Sequence, residues 1–148
     1  MKVDKFYKSR VKIAMIRKWY DSDININEIK NETIAVIGYG SQGAAQSNNM
    51  NDSGLNIILG LRKDGASWEK AEADGHKVYE IEKAAKLADI VHILVPDVMQ
   101  SDIYTDKIAP NLKEGNALCF SHGAAIHWKW IPIPKSVDVI MIAPKSPG

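Results

Sequence analysis

An α/β fold, a doubly wound and mostly parallel sheet with helices on both faces, is predicted by three features of this sequence. Short apolar runs recur along the chain, and each is followed by a more polar stretch of helical length. The first run ends in a glycine-rich turn, and Gly or Pro punctuates most later junctions. A repeated strand-then-helix order leaves parallel pairing, right-handed crossovers and coverage of both faces as the arrangement that buries the apolar runs.

The elements follow in order. Ile34-Ala35-Val36-Ile37, closed by Gly38, reads as a buried strand. A helix is expected from Ser41 to Asp52 and is stopped by Ser53-Gly54; Asn48, Asn49 and Asn51 are poor helix formers, so packing must support it. Leu55 to Leu61 is the second strand. Ser67 to Asp74 is the second helix, with Trp68 and Ala71 on one face and Gly75 as its stop. Lys77-Val78-Tyr79 gives a third strand, Glu82 to Ala88 a short helix, and Ile90 to Val95 a fourth strand ended by Pro96. Asp97 and Gln100 have capping-box spacing for a helix running towards Ala109 and stopped by Pro110. Ala117 to Phe120 and Val137 to Ile142 complete the sheet. The sequence has no internal repeat and no low-complexity segment.

Composition bounds the class. The 148 residues suit one core, and 45% hydrophobic with 25% charged residues is ordinary for a soluble domain. No apolar run approaches the ~20 residues of a membrane span. The single cysteine, Cys119, excludes an internal disulfide framework and fits a reducing compartment, so a cytoplasmic location is expected. Residues 1–18 hold seven Lys/Arg against one acid, Asp4, although the whole chain is only +1. No apolar stretch there forms a secretory signal. The segment is read as a basic, solvated extension to a domain of residues 19–148, or in part as sequence upstream of a natural start at Met15. Neither nucleic acid nor a membrane is expected as a partner.

Gly38-Tyr39-Gly40-Ser41-Gln42-Gly43 is a G-x-G-x-x-G between a strand and a helix. In a Rossmann-type fold Gly38 makes the tight turn, Gly40 lets backbone approach a diphosphate, and Gly43 lets the helix pack closely. Free amides at the helix start then face the anion. After the second strand, where an NAD-selective site usually places an acid, this chain has Arg62, with Lys63 next and Ser67 at the loop's end. A guanidinium and a hydroxyl suit a ribose 2′-phosphate, so NADP(H) is expected. Asp64 would oppose that phosphate unless it points away.

These residues open a longer series of matches: Gly60-Leu61-Arg62, Ser67 to Ala71 with Ala73-Asp74-Gly75, Pro96-Asp97 with Gln100, Ser121-His122-Gly123 with Ile126-His127, and Ala143 to Gly148. In that order they resemble the ketol-acid reductoisomerases (acetohydroxy acid isomeroreductases), from near Tyr20 to the C-terminus. The resemblance implies a Mg²⁺- and NADPH-dependent enzyme of valine and isoleucine biosynthesis. Such an enzyme moves an alkyl group within 2-acetolactate or 2-aceto-2-hydroxybutyrate and then reduces the ketone. It implies that Tyr39, Gly40, Ser41 and Gln42 cradle the diphosphate, with Gly38 and Gly43 as cofactor-binding positions of the same turn, and that Arg62 and Ser67 meet the 2′-phosphate. Asp97, Val98, Met99 and Gln100 would line the cofactor's other side, and Gly148 would make a last backbone contact. His122 and Lys145 correspond to catalytic positions, and both follow strands, on the sheet edge where ligands bind in this fold.

Two departures stand out. Ala124-Ala125 replaces a common Phe-Asn pair, and Gly65 replaces a phosphate-binding serine found in many relatives. No convincing Mg²⁺ ligand set is visible; Asp97 and Asp138 read as a helix cap and a solvent-facing strand residue. His92 reads as a partly buried strand histidine, and His76 as structural. The resemblance places the metal ligands in a helical C-terminal domain beyond Gly148, through which relatives dimerise; that contact is not expected in this chain, and homo-oligomerisation by another surface stays open. The alternative reading is a non-catalytic NADP(H)-binding module. A third, a 3-hydroxy-acid dehydrogenase of similar fold, is opposed by the Ser121-His122-Gly123 and Pro144 to Gly148 motifs.

Overall fold

The computed structural model describes residues 18–143. Six strands form one sheet in which every pairing is parallel: β1 Thr33–Ile37, β2 Asn56–Leu61, β3 Lys77–Glu80, β4 Ile90–Ile93, β5 Ala117–Phe120 and β6 Asp138–Met141. Their order across the sheet is β3-β2-β1-β4-β5-β6. The chain thus winds outward from β1 in one direction and then, from β4, in the other. The crevice where the winding reverses lies between the carboxyl ends of β1 and β4, and open sheets of this kind bind ligands there. The doubly wound expectation holds.

The central apolar runs, β1, β2, β4 and β5, are strands because their faces are covered on both sides, whereas the edge strand β6 is exposed. One core cluster joins Ala35, Ile37, Val91 and Phe120 to α3 (Ile81–Leu87) and to Tyr104 and Ile108. The other joins Val36, Leu59 and Leu61 to Ala71 and Trp68 of α2 (Ala66–Ala73), with Ala44 and Met50 of α1 (Ser41–Asp52) against it. Alternate residues of each strand feed opposite layers, so both faces of the central strands are apolar. α1 spans the expected residues despite its asparagines. Inside it, Ser47 is buried, and its hydroxyl donates to the Gly43 carbonyl at 2.6 Å.

Beyond β4 the chain departs from expectation. α4 covers only Asp97–Ile103 and passes into a π-helical turn, Tyr104–Ile108, and a 3-10 turn, Ala109–Asn111. Pro110 does not stop the helical backbone. It sits at the start of the 3-10 turn, where its missing N–H leaves no bond broken. The predicted capping box is also absent, because Pro96 occupies the cap position and Asp97 is the first helical residue, with no side-chain cap. Its carboxylate is turned to other partners. A short α5 (Ala124–His127) follows β5. Among the described residues, no helix is long and apolar enough to cross a membrane.

His92 lies in β4 and is only 3% exposed, with Nε2 3.3 Å from the Ser121 hydroxyl. Burial pushes its pKa down to about 4, so the folded state holds it neutral. The unfolded chain takes up a proton near the ordinary histidine value of about 6.5. Its stabilising contribution is therefore complete above that value and fades as pH falls from there towards about 4. The loss should reach about 2 kcal/mol between about pH 7.5 and about pH 5. Urea midpoints at the two pH values should reveal it, and His92→Gln should flatten the difference. An equal slope in both proteins would show that another group controls acid stability.

Candidate functional site: a glycine turn at the reversal crevice

The turn after β1 is built from three glycines with different tasks. Gly38 has φ +103°, a backbone region open to few other residues, and a Cβ there would meet Val95 at 3.0 Å and the Leu94 carbonyl at 3.1 Å. Its N–H donates to the Gly60 carbonyl at 3.2 Å, fixing the turn to β2. Gly43 lies one helical turn on, and a Cβ there would sit 2.2 Å from the Gly38 carbonyl oxygen. The close approach is therefore helix to turn, more specific than the helix-to-strand packing expected. Gly40 caps α1, and nothing lies within 4 Å of where its Cβ would be. That opening faces the crevice.

Tyr39 lines the crevice and is otherwise buried. Its hydroxyl donates to the Asp74 carboxylate at 2.7 Å and ties the turn to the end of α2. Burial, reinforced by the bond to Asp74 and that residue's charge, pushes the phenol up to about 12. It stays protonated and anchors the turn.

A cleft of about 490 Å³ opens over this turn, within the range of small-molecule and cofactor sites. Gly38 to Gln42 form its floor, and Arg62 and Ser67 stand at the end beyond β2. Ile81, Met99 and Ile103 make an apolar wall opposite. Asp64 takes a left-handed backbone conformation, φ +58°, and lines a separate depression with Lys63, Glu69 and Glu72. It lines that depression and not the cleft over the glycine turn.

The segment Asp97 to Gln100 divides its work. Met99 lines the cleft. Val98 is 88% exposed and Gln100 only 4%, so neither side chain lies in the cleft wall. Asp97, read from sequence as a helix cap, instead places Oδ2 2.7 Å from His122 Nδ1. His122 follows β5 as expected. Lys145 and Gly148 lie outside the described residues. Asp138 is solvent-facing, as expected. Ala125, half of the Ala124-Ala125 departure, is fully buried in the core. His76 is a structural residue, buried with Nε2 2.6 Å from Asn48 Oδ1.

Two polar residues were missed. Gln46 Nε2 bridges Gln42 Oε1 at 3.2 Å and the Ser121 hydroxyl at 3.3 Å, linking α1 to the end of β5. The i, i+4 spacing of Gln42 and Gln46 was the available signal. Ser121's contact with both Gln46 and His92 depends on strand order, which no local pattern reveals. Among the described residues, no group of three or more His, Cys, Asp or Glu side chains comes together as a metal site would require.

A parallel sheet with a glycine turn at its reversal point, an open helix start above it and an arginine after β2 defines a dinucleotide-binding domain. Comparison with known proteins makes this specific. Residues 28–148 match the family model "Acetohydroxy acid isomeroreductase, NADPH-binding domain". A ketol-acid reductoisomerase (NADP(+)) of Nitrosopumilus maritimus is 63% identical over 134 residues, covering 90% of this chain and 40% of that protein. One from Pyrococcus abyssi is 55% identical over 136 residues, covering 92% and 41%. The solved structure of an NADH-preferring ketol-acid reductoisomerase from an uncultured archaeon superimposes with a TM-score of 0.83 at 50% identity, covering 86% of this chain and 40% of that one. A Mycobacterium tuberculosis 3-hydroxyisobutyrate dehydrogenase, at 20% identity and a TM-score of 0.59, shares the fold alone.

The chain belongs to the acetohydroxy acid isomeroreductase family and corresponds to its N-terminal, NADPH-binding domain. It spans about 40% of the length of the curated relatives it matches.

Proposed function

We propose that this chain supplies the NADPH-holding part of a ketol-acid reductoisomerase acting on 2-acetolactate and 2-aceto-2-hydroxybutyrate in valine and isoleucine biosynthesis. The observation that carries the reading is the cleft at the β1–β4 reversal, open at Gly40 and ending at Arg62 and Ser67. Its residues fit the cofactor. Amides at the start of α1 would hold the diphosphate, and Arg62 and Ser67 would hold the 2′-phosphate. Met99, Ile81 and Ile103 would keep water from the apolar side. When bound, NADPH supplies hydride. His122 would meet a substrate oxygen at the sheet edge, where Lys145 is also proposed to act.

Alkyl migration calls for a Lewis acid, and Mg²⁺ is the metal we propose. The described residues do not fit it, because they bring no such ligand cluster together. We assign its ligands to a helical partner domain outside them. A cytoplasmic location belongs to the same proposal. It is supported by the lone buried Cys119, whose thiol burial pushes up to about 11.

The test uses the 148-residue chain with NADPH, acetolactate and Mg²⁺. It should bind NADPH in a titration yet show no consumption of NADPH at 340 nm under otherwise permissive conditions. Turnover by this chain alone would overturn the assignment of the metal ligands to another domain.

A further inference from the structure

We propose that Asp97 is a positioning residue that fixes the tautomer and direction of the His122 ring, with Gln100 as its buried brace. Gln100 is 4% exposed, and its Nε2 donates both to the Val95 carbonyl at 3.1 Å and to Asp97 Oδ1 at 3.0 Å. Both partners are acceptors, so the reverse amide orientation would set oxygen against oxygen, and this one is forced. Gln100 Oε1 is left buried without a partner, a cost the two donated bonds must outweigh. With Oδ1 held, the other carboxylate oxygen is aimed at His122 Nδ1, 2.7 Å away.

A carboxylate only accepts, so Nδ1 must carry the proton, and in the neutral ring Nε2 keeps its lone pair. The His122 side chain is two-thirds exposed, 67%, so that nitrogen is open to a ligand at the sheet edge. The line from Val95 through Gln100 and Asp97 to His122 thus joins the end of β4 to the end of β5. It spans two neighbouring strands, of which β4 borders the crevice, and presents one acceptor nitrogen in a fixed direction. A carboxylate behind an imidazole is the arrangement general bases use elsewhere. The function of that nitrogen towards substrate rests on the reading proposed above; the tautomer does not.

The experiment is ¹⁵N NMR of the imidazoles in the 148-residue chain under mildly alkaline conditions, with His122→Gln used to assign the resonances. In the unmodified chain His122 should be roughly nine-tenths or more in the Nδ1–H form, and Asp97→Asn, whose amide can donate, should bring this below about half. Asp97→Ala should do the same, and amide spectra of each variant establish folding. An Nε2–H ring in the unmodified chain, or a fraction unchanged in both folded variants, would overturn the proposal. NADPH titration of the same samples separates the two readings: a tautomer shift without cofactor binding sinks the functional assignment and leaves the pair standing.

Discussion

Gly43→Ala and Gly40→Ala should damage the protein in different ways, although they lie three residues apart in one motif. At Gly43 the added methyl would fall 2.2 Å from the Gly38 carbonyl oxygen, a backbone atom that cannot swing aside. Helix and turn must separate, at a cost typical of overpacked cores, about 1–3 kcal/mol. Heat denaturation should register this as a fall in Tm of roughly 3–10 °C. The amides at the start of α1 move with the helix, so NADPH affinity should drop by at least about tenfold. At Gly40 the backbone has φ −77° and the methyl meets no protein atom. Stability should stay within about 0.5 kcal/mol of the parent, while the methyl occupies the approach to the diphosphate and binding is lost. Calorimetry for stability and titration for affinity, on both variants, will separate the two roles. A Gly40→Ala protein that binds NADPH normally would show that the diphosphate lies elsewhere.

Arg62→Ala should discriminate between the two nicotinamide dinucleotides. Arg62 is exposed beyond β2 and lines the cleft end, with Ser67 across the loop. Hydrogen bonds to charged groups contribute about 1.5–3 kcal/mol, so losing the guanidinium should weaken NADPH binding roughly tenfold to a hundredfold. NADH carries no 2′-phosphate and should change by less than about threefold. The proposed preference would rest on few groups, because Gly65 offers no side chain and Asp64 and Lys63 line the neighbouring depression. One substitution should therefore remove most of it. Equal losses for both dinucleotides would mean that Arg62 acts on the loop's shape and not on the phosphate.

What was legible in the sequence follows from the range of the forces involved. Strands β1, β2 and β5 and helix α1 were visible because apolar run length and glycine placement are local, and burial on both faces leaves a continuous signature. The division of labour among Gly38, Gly40 and Gly43 was legible for the same reason. The end of α4 was not, because Tyr104 and Ile108 choose their backbone by packing against α3 and the chain near Pro132. The role of Asp97 was misread for a related reason. Its spacing to Gln100 is that of a capping box, yet Pro96 takes the cap and the carboxylate answers instead to His122, brought close only by the β4–β5 pairing. Gln46, Ser121 and His92 meet across the same seam. Contacts made by strand order leave no mark in a window of neighbouring residues.

The most direct test is calorimetric titration of the unmodified chain with NADPH and, separately, with NADH. Amides at the β1–α1 bend and the arginine after β2 should give saturable binding of one NADPH per chain, with an affinity on the order of micromolar and at least about tenfold weaker binding of NADH. A chain that is folded by its amide spectrum and takes up neither dinucleotide would contradict the account at its root.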